Sequence, residues 1–392
     1  MKLLHASLLF TNDGPPVVNA DLTLTDEGVI VEIGSGGANN KNDYRDVIIP
    51  AFINAHCHLE LSHLKGLIRE RENGMTGFIR QLLSQRFLFS DAVQQEAMQL
   101  ADQSMMEEGI VAVGDISNFT SSAGIKKNSK LYYHTFIELF GLENTKVEEM
   151  VLNGISMVNE FRGAAHLSSS LSPHAPYSMV QDLFKEISRV VHPIDPLTIH
   201  MQESEDEILF CKDKSGPLAE FFASAGISTT DFIPFGDVRP LRQILPLIPR
   251  ANRLQLVHNT YTAEEEIVAA LKRRPKLSWC LCPSANLFIT GDLPPVEALF
   301  RNDAHVTIGT DSLASNQKLS VLNELKIISK NFPMVPFATL VKWSTLNGAE
   351  FLGVANRFGK IKPGMNPGLV SLHGLNHDEL VLHEQVTCKR VA

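Results

Sequence analysis

The sequence predicts an α/β protein built as a (β/α)8 TIM barrel, with a small β-sandwich formed from both chain termini. Two observations support this prediction. Strand-like apolar runs alternate with amphipathic segments through the middle of the chain, and both ends contain short β-like runs separated by turns. Eight strand–helix units in series are typical of a closed parallel barrel.

The N-terminal residues predict a small β unit rather than a helical layer. Leu8-Leu9-Phe10 precedes a turn-rich stretch at 12–16, and a second β-like run covers 28–34. The chain returns to turns and short strands after about Gly353. We therefore expect residues 1–50 and 353–392 to form one composite β-sandwich domain, and residues 51–352 to form the metal-dependent catalytic barrel.

The barrel prediction rests on eight candidate strands and the helices between them. The strands are expected at 48–58, 110–118, 132–141, 167–178, 197–204, 253–261, 276–286 and 305–315. The clearest amphipathic segments between them are 91–108, 180–191, 263–274 and 319–330. Residues 64–86 are expected to form a first loop that contributes to substrate choice.

The composition is that of an ordinary globular protein and excludes several classes of partner. The chain has 392 residues, 44% hydrophobic and 20% charged, with a formal net charge of −9. That charge argues against a nucleic-acid partner or an anionic membrane surface, and no apolar run is long enough to span a bilayer. The five cysteines are scattered, which favours a reducing compartment. We expect a cytoplasmic protein that acts on a small molecule.

Polar residues gather at the C-terminal ends of the predicted strands. His56 and His58 end the first strand, and their spacing places both imidazoles on the same side. His200, His258 and Asp311 end three later strands. These ends share one face of a parallel barrel, where catalytic groups collect. Imidazole and carboxylate ligands suit Zn²⁺ or Fe²⁺, so the sequence predicts a divalent metal centre there.

Glu203 lies three residues beyond His200 and is a candidate catalytic group. A carboxylate in this place can lie beside a water molecule at the metal without binding the metal itself. It can then act as general base and later as general acid. The alternative is an ordinary carboxylate at the start of a helix. His258 likewise has two open roles, catalytic or structural.

Taken together, these motifs resemble the amidohydrolase superfamily, in the branch of cytosine, guanine, adenosine-type and chlorotriazine deaminases and hydrolases. The resemblance rests on Phe52-Ile53-Asn54-Ala55-His56-Cys57-His58, His200, Glu203, His258 and Gly309-Thr310-Asp311-Ser312. The metal ligands that it implies are His56, His58, His200 and Asp311. It further implies that Glu203 shuttles protons, and that His258 orients the activated water or polarises the substrate. Asp311 is also expected to accept a proton from the water.

The resemblance also implies one metal ion per chain and a homodimer. Binuclear members of the superfamily bridge two metals with a carboxylated lysine at the end of strand four. Residues 167–178 contain no lysine, and His174 stands there instead. The spacing of His200 and Glu203 fits the deaminase branch better than the amidase branches.

A narrower resemblance is to the aminodeoxyfutalosine deaminases of the alternative menaquinone pathway, which remove ammonia from a 6-aminopurine nucleoside. It rests on His58-Leu59-Glu60-Leu61-Ser62, Gly77-Phe78-Ile79-Arg80 and Ser172-Pro173-His174-Ala175-Pro176-Tyr177-Ser178. Phe78 stands where those proteins often carry a tryptophan.

Several side chains are candidate substrate contacts with an open alternative. They are His174, Glu60, Ser62, Phe78 and Glu138. The alternative for His174 is a structural role, in which it stabilises its proline-containing loop. The alternative for Glu60 and Ser62 is that they cap the first loop. Glu138 otherwise pairs with a neighbouring cation. Residues 312, 315 and 316 either orient Asp311 or form an ordinary turn.

The sequence therefore predicts a metal-dependent hydrolytic deaminase of an amino-substituted heteroaromatic ring, with a 6-aminopurine nucleoside such as aminodeoxyfutalosine as the expected substrate. The same centre suits hydrolysis of a cyclic amide or a carbon–halogen bond, because residues on the loops select the leaving group. A non-catalytic scaffold is the alternative from another class, and metal analysis separates it from an enzyme.

Overall fold

Eight parallel strands form the centre of the protein, as seen in a computed structural model that describes residues 1–35, 44–233, 236–376 and 379–392. These strands are β5 (Phe52–Cys57), β6 (Ile110–Ser117), β7 (Tyr132–Leu139), β8 (Leu167–Pro173), β9 (Leu197–Met201), β10 (Leu254–His258), β11 (Ser278–Leu281) and β12 (His305–Ile308). They pair in chain order as two four-stranded sheets, β5 to β8 and β9 to β12. Residues on both faces of these strands are mostly buried, as expected when helices cover a parallel sheet.

The two sheets meet at both seams and close the barrel. At one seam Cys57 pairs in parallel with Asp311. At the other, the backbone N–H of His200 donates to the carbonyl of His174 over 2.9 Å. The predicted TIM barrel is therefore confirmed.

Helices cover the outside of the barrel and form part of its upper rim. They are α1 (Gly74–Gln85), α2 (Asp91–Glu107), α3 (Ala123–Asn128), α4 (Val147–Glu160), α5 (Gln181–Val190), α6 (Glu205–Asp213), α7 (Gly216–Ser224), α8 (Pro240–Ile244), α9 (Glu264–Arg273), α10 (Pro283–Ile289), α11 (Val296–Arg301), α12 (Val321–Asn331), α13 (Phe337–Ser344) and α14 (Leu346–Leu352). The four helices predicted from amphipathic spacing are confirmed as α2, α5, α9 and α12. Among the helices of the described ranges, none has both the length and the apolar character needed to cross a membrane.

Several predicted strands are divided or end earlier than expected, among them 167–178 at Pro173 and 305–315 at Ile308, and one predicted loop contains a helix. The apolar run at 48–58 is divided at Ala51, because its first half pairs with the terminal sheet and its second half begins the barrel. The predicted strand 276–286 ends at Leu281, since Pro283 opens helix α10. The first loop, 64–86, contains helix α1.

Both chain ends contribute to one six-stranded sheet beside the barrel. Its strands are β1 (Lys2–Leu9), β2 (Val17–Leu24), β3 (Ile30–Ser35), β4 (Tyr44–Pro50), β13 (Leu369–His373) and β14 (Thr387–Arg390). The strand order is β14-β13-β4-β1-β2-β3, and its own buried cluster includes Leu4, Leu22 and Ile48. We propose that this sheet is the composite terminal domain and that residues 51–352 are the catalytic domain.

Candidate metal centre and active site

Four of the predicted site residues converge at the carboxyl end of the barrel. His56 lies in β5, His58 directly follows that strand, and His200 lies in β9. Nε2 of His58 is 3.2 Å from Nε2 of His56 and 3.3 Å from Nε2 of His200. Oδ1 of Asp311, beyond β12, is 3.5 Å from Nε2 of His58 and 3.7 Å from Nε2 of His56.

The spacing and chemistry of these four side chains fit one small divalent cation. With zinc–nitrogen distances of about 2.0–2.1 Å, tetrahedral ligand atoms lie about 3.3 Å apart, close to the separations observed. Burial lowers the pKa of His56, and lowers that of His58 to about 3, so both imidazoles are neutral and can donate lone pairs. A shared proton can form a hydrogen bond between only one pair of facing ring nitrogens. A cation between the four side chains would accept a lone pair from each of them.

The backbone turns sharply at or just beyond the ends of three barrel strands, β9, β10 and β12. Gln202, His258 and Asp311 have φ values of +49°, +70° and +55°, a left-handed conformation that is uncommon for residues other than glycine. Such conformations persist only where surrounding contacts hold them, and they cluster at functional sites. The strained residues thus mark the same rim as the four converging side chains.

Gly309 allows the last barrel strand to approach the first one closely. A Cβ atom on Gly309 would lie 2.6 Å from Cβ of His56 and 2.9 Å from Sγ of Cys280. Any larger residue would therefore displace His56 or the strand that carries it. This explains physically why glycine precedes Thr310 and Asp311 in the chain.

Glu203 and His258 form a buried pair beside the four converging residues. Oε1 of Glu203 is 3.4 Å from Nε2 of His258. Burial raises the pKa of Glu203 to about 8, although the charge of His200 opposes this shift. Burial lowers the pKa of His258 well below its ordinary value. A carboxyl group that holds a proton near neutral pH beside a neutral imidazole is suited to general acid–base chemistry.

Glu138 holds the other ring nitrogen of His200. Its Oε1 atom is 3.3 Å from Nδ1 of His200, and its Oε2 atom accepts from Nδ2 of Asn118 over 3.0 Å. Burial lowers the pKa of His200, but the hydrogen bond and the negative charge of Glu138 raise it by more, to about 9. Metal binding to His200 would therefore displace a proton.

A cavity of about 300 Å³ opens above this centre and has a polar floor and an apolar wall. The floor includes His58, Glu138, His174, His200, Glu203, His258 and Asp311. The wall includes Met75, Phe78, Ile79, Leu82 and Leu83 from α1, Leu218, Phe221 and Phe222 from α7, and Phe140 and Leu142. This combination is typical of a site for a small organic ligand.

Three of the five candidate substrate contacts line the cavity: Phe78, Glu138 and His174. Glu60 and Ser62 do not. Glu60 pairs with Arg86 and accepts the backbone N–H of Asn118, and the hydroxyl of Ser62 donates to the carbonyl of Leu59 over 2.7 Å. For Glu60 and Ser62 the structure therefore favours the alternative, in which they brace the first loop.

The residues that follow Asp311 hold its turn in place. The hydroxyl of Ser315 donates to Oδ2 of Asp311. Nδ2 of Asn316 donates over 2.9 Å both to the carbonyl of Thr310 and to Oε1 of Glu324. Ser312 lines the cavity. Residues 315 and 316 therefore both form the turn and hold Asp311 in its orientation.

A buried ion pair that the sequence did not predict supports the backbone next to His58. Nζ of Lys126 is 2.6 Å from Oδ2 of Asp115, and both side chains are fully buried. Oδ1 of Asp115 accepts the backbone N–H of Leu59, the residue after His58, over 2.8 Å. The pair therefore anchors the backbone that carries His58. Its members lie in a strand and a short helix, and no motif links them.

We expect Lys126→Met to destabilise the fold by about 3 kcal/mol, because the substitution leaves the buried charge of Asp115 unpaired. Urea unfolding of both proteins measures this loss. The matched control is Lys127→Met, which changes an exposed neighbour and should shift stability by less than about 0.5 kcal/mol. Equal stability of the two variants would contradict a structural role for the pair.

Comparison with known proteins identifies similar sequences and folds. The sequence profile described as the amidohydrolase family matches residues 47–383. Adenosine deaminase of Helicobacter pylori is 26% identical over 402 aligned positions, covering 96% of this chain and 92% of that protein.

Two solved structures share the fold. Helicobacter pylori aminofutalosine deaminase, in complex with methylthio-coformycin, superposes with a TM-score of 0.80 at 22% identity, over the whole of both chains. A zinc-bound adenosine deaminase from Xanthomonas campestris superposes with a TM-score of 0.72 at 21% identity, over 94% of this chain and 84% of that one.

Proposed function

Since this chain belongs to the amidohydrolase family, we propose that it is a metal-dependent deaminase that removes ammonia from an adenine nucleoside. The observation that carries this proposal is the position of Glu203. Its carboxyl group lines the cavity together with His58, His200 and Asp311, and among the described residues it belongs to none of the groups of side chains that could hold a metal ion. A carboxyl group so placed is free to transfer protons to a bound heterocycle.

We propose that this cluster holds one divalent ion, either Zn²⁺ or Fe²⁺. When bound, such an ion acts as a Lewis acid and makes a water molecule nucleophilic near neutral pH. The zinc in the Xanthomonas campestris adenosine deaminase supports this proposal. Glu138 orients His200 through its second ring nitrogen, as carboxylates commonly do for histidine ligands.

The side chains then move protons while the water oxygen bonds to the ring carbon that carries the amino group. Asp311 or His258 takes a proton from the water, and Glu203 donates one to the adjacent ring nitrogen. The tetrahedral carbon that results bears both the new oxygen and the amino group. The proton held by Asp311 or His258 then passes to the amino nitrogen, and the ionised Glu203 takes the remaining proton of the new hydroxyl group. The carbon–nitrogen bond breaks, and ammonia leaves an oxo-substituted ring.

The cavity wall supports a nucleoside that carries an apolar group rather than a free base. Side chains of α1 and α7 line the same cavity as the polar floor, so they offer an apolar surface to a substituent on the sugar. The relatives named adenosine deaminase and aminofutalosine deaminase support an adenine nucleoside. Aminodeoxyfutalosine is the specific substrate that we propose, on the motifs around His58, Phe78 and His174.

We also propose a cytoplasmic location and a homodimer. The five cysteines are free thiols and four of them are buried, which suits a reducing compartment. The negative net charge suits a partner that is a small molecule rather than a nucleic acid or a membrane.

A substrate panel tests the proposed function. We expect metal-loaded protein to release ammonia from aminodeoxyfutalosine, adenosine or methylthioadenosine, and not from guanine, cytosine or an aminotriazine. Purine nucleosides are favoured because they fill both the polar floor and the apolar wall. Release from cytosine or guanine alone would overturn the substrate class. If metal-loaded protein released ammonia from none of these compounds, the deaminase proposal would be overturned.

A further inference from the structure

Glu207 is a fully buried carboxylate for which the proposed mechanism has no role. It is the third residue of α6, and its side chain turns back toward the end of β9. Its Oε1 atom accepts the backbone N–H of Gln202 over 2.9 Å, and its Oε2 atom accepts the backbone N–H of Glu203, also over 2.9 Å. Each carboxyl oxygen therefore accepts one backbone N–H group.

These two bonds hold the backbone where the chain leaves the barrel. β9 ends at Met201, and Gln202 adopts the left-handed conformation. The two N–H groups would otherwise be buried without a partner. The backbone N–H of Glu207 in turn donates to the hydroxyl of Ser204 over 3.2 Å. The carboxylate therefore ties the strained turn to the first turn of the helix.

The side chain of Gln202 secures the same turn from its other side. Oε1 of Gln202 accepts the backbone N–H of Leu241 over 3.1 Å, and its Nε2 atom donates to the hydroxyl of Thr262 over 3.2 Å. These contacts do not involve Glu207. A change at Glu207 should therefore shift the 202–203 peptide locally while the turn remains attached to the barrel.

We propose that Glu207 is a positioning residue, which aims the carboxyl group of Glu203 at the bound substrate by fixing the 202–203 peptide. The inference rests on the proposed function, because it assumes that Glu203 transfers a proton in the reaction. Displacement of a catalytic group by about 1 Å can cost about a hundredfold in rate. Glu207 is not among the residues that line the cavity, so its effect on kcat should pass through Glu203.

A double-mutant cycle on the metal-loaded, full-length protein tests the proposal. Glu207→Gln keeps the size of the side chain but places an amide NH2 group against one of the two backbone N–H groups. We expect kcat to fall about a hundredfold, with KM and metal content unchanged. In a Glu203→Gln background, the same change should alter kcat less than twofold, because its effect passes through Glu203.

A matched control separates positioning from general stability. Asp102 is a carboxylate that also accepts two hydrogen bonds, from Ser129 and Tyr133, but it lies outside the cavity. Asp102→Asn should leave kcat unchanged. Hydrogen exchange supplies a readout besides activity, since the backbone N–H groups of Gln202 and Glu203 should exchange faster in Glu207→Gln and not in Asp102→Asn.

The outcomes distinguish this inference from the function on which it rests. A normal kcat in Glu207→Gln, or an equal loss in both backgrounds, would overturn the positioning role. A fully active Glu203→Gln variant would instead overturn the proposed proton transfer. If Glu207→Gln does not fold, Glu207→Asp enters the same cycle under the same criteria, because its shorter carboxylate cannot hold both N–H groups in place.

Discussion

Glu203→Gln is expected to lower kcat by about a thousandfold while leaving metal content unchanged. General acid–base catalysis by a positioned side chain contributes about 10²–10⁴ in rate, and an amide cannot donate or accept the proton. The carboxyl group of Glu203 lies 3.4 Å from His258 and is not one of the proposed metal ligands. An amide of the same size should therefore leave those ligands undisturbed. Steady-state kinetics and elemental analysis of the same preparation measure both quantities.

The matched control is Glu205→Gln, which alters an exposed carboxylate two residues further along the chain. That variant should retain the rate of the unmodified protein. A near-normal rate in Glu203→Gln would remove Glu203 from the mechanism, and a loss of metal would make it a ligand instead of a proton shuttle.

His200→Gln is expected to abolish stable metal binding, and turnover with it. Replacing a residue that merely supports a metal ligand costs about 10–100-fold in affinity or activity, so loss of a ligand should cost more than a hundredfold. Nε2 of His200 lies 3.3 Å from Nε2 of His58, so its removal opens the cluster on one side. Metal content after dialysis measures the effect.

His134→Gln is the control for this second substitution. His134 is also a buried barrel histidine, but it bonds to the hydroxyl of Ser170 over 2.8 Å and does not line the cavity. This variant should keep its metal even if its stability falls. Full metal occupancy in His200→Gln would show that His200 is not a ligand.

The barrel could be predicted because its local patterns agree with its global fold. Apolar runs alternate with amphipathic segments, and polar residues such as His200 and Asp311 follow the runs. In a parallel barrel, these ends must share one face. Chain topology alone therefore brings together residues that lie more than a hundred positions apart.

Boundaries were less predictable because periodicity does not reveal which sheet a strand joins. Residues 48–58 are apolar on both sides of Ala51, where β4 ends and β5 begins. The two strands are buried in different sheets, so the apolar pattern does not mark the boundary between them. His58 was expected to end a strand. It lies just beyond β5 instead, and its backbone is anchored through the hydrogen bond from Leu59 to Asp115.

The supporting contacts of the site could not be predicted from spacing. Glu60 was a candidate substrate contact, but its partner Arg86 lies at the end of α1, in a segment expected to be a loop. Glu207 has the pattern of an ordinary acidic residue in the first turn of a helix, where carboxylates are common. In the structure, the carboxyl oxygens of Glu207 instead accept the backbone N–H groups of Glu203 and of Gln202, which has a left-handed conformation.

A titration of the chelated protein with Zn²⁺ and, separately, with Fe²⁺ tests the central claim most directly, with ammonia release from an adenine nucleoside as the readout. If one metal ion held by His56, His58, His200 and Asp311 supports the reaction, activity should rise linearly to one equivalent per chain and then stay constant. Activity without added metal, or a break at two equivalents, would contradict a mononuclear metal-dependent deaminase.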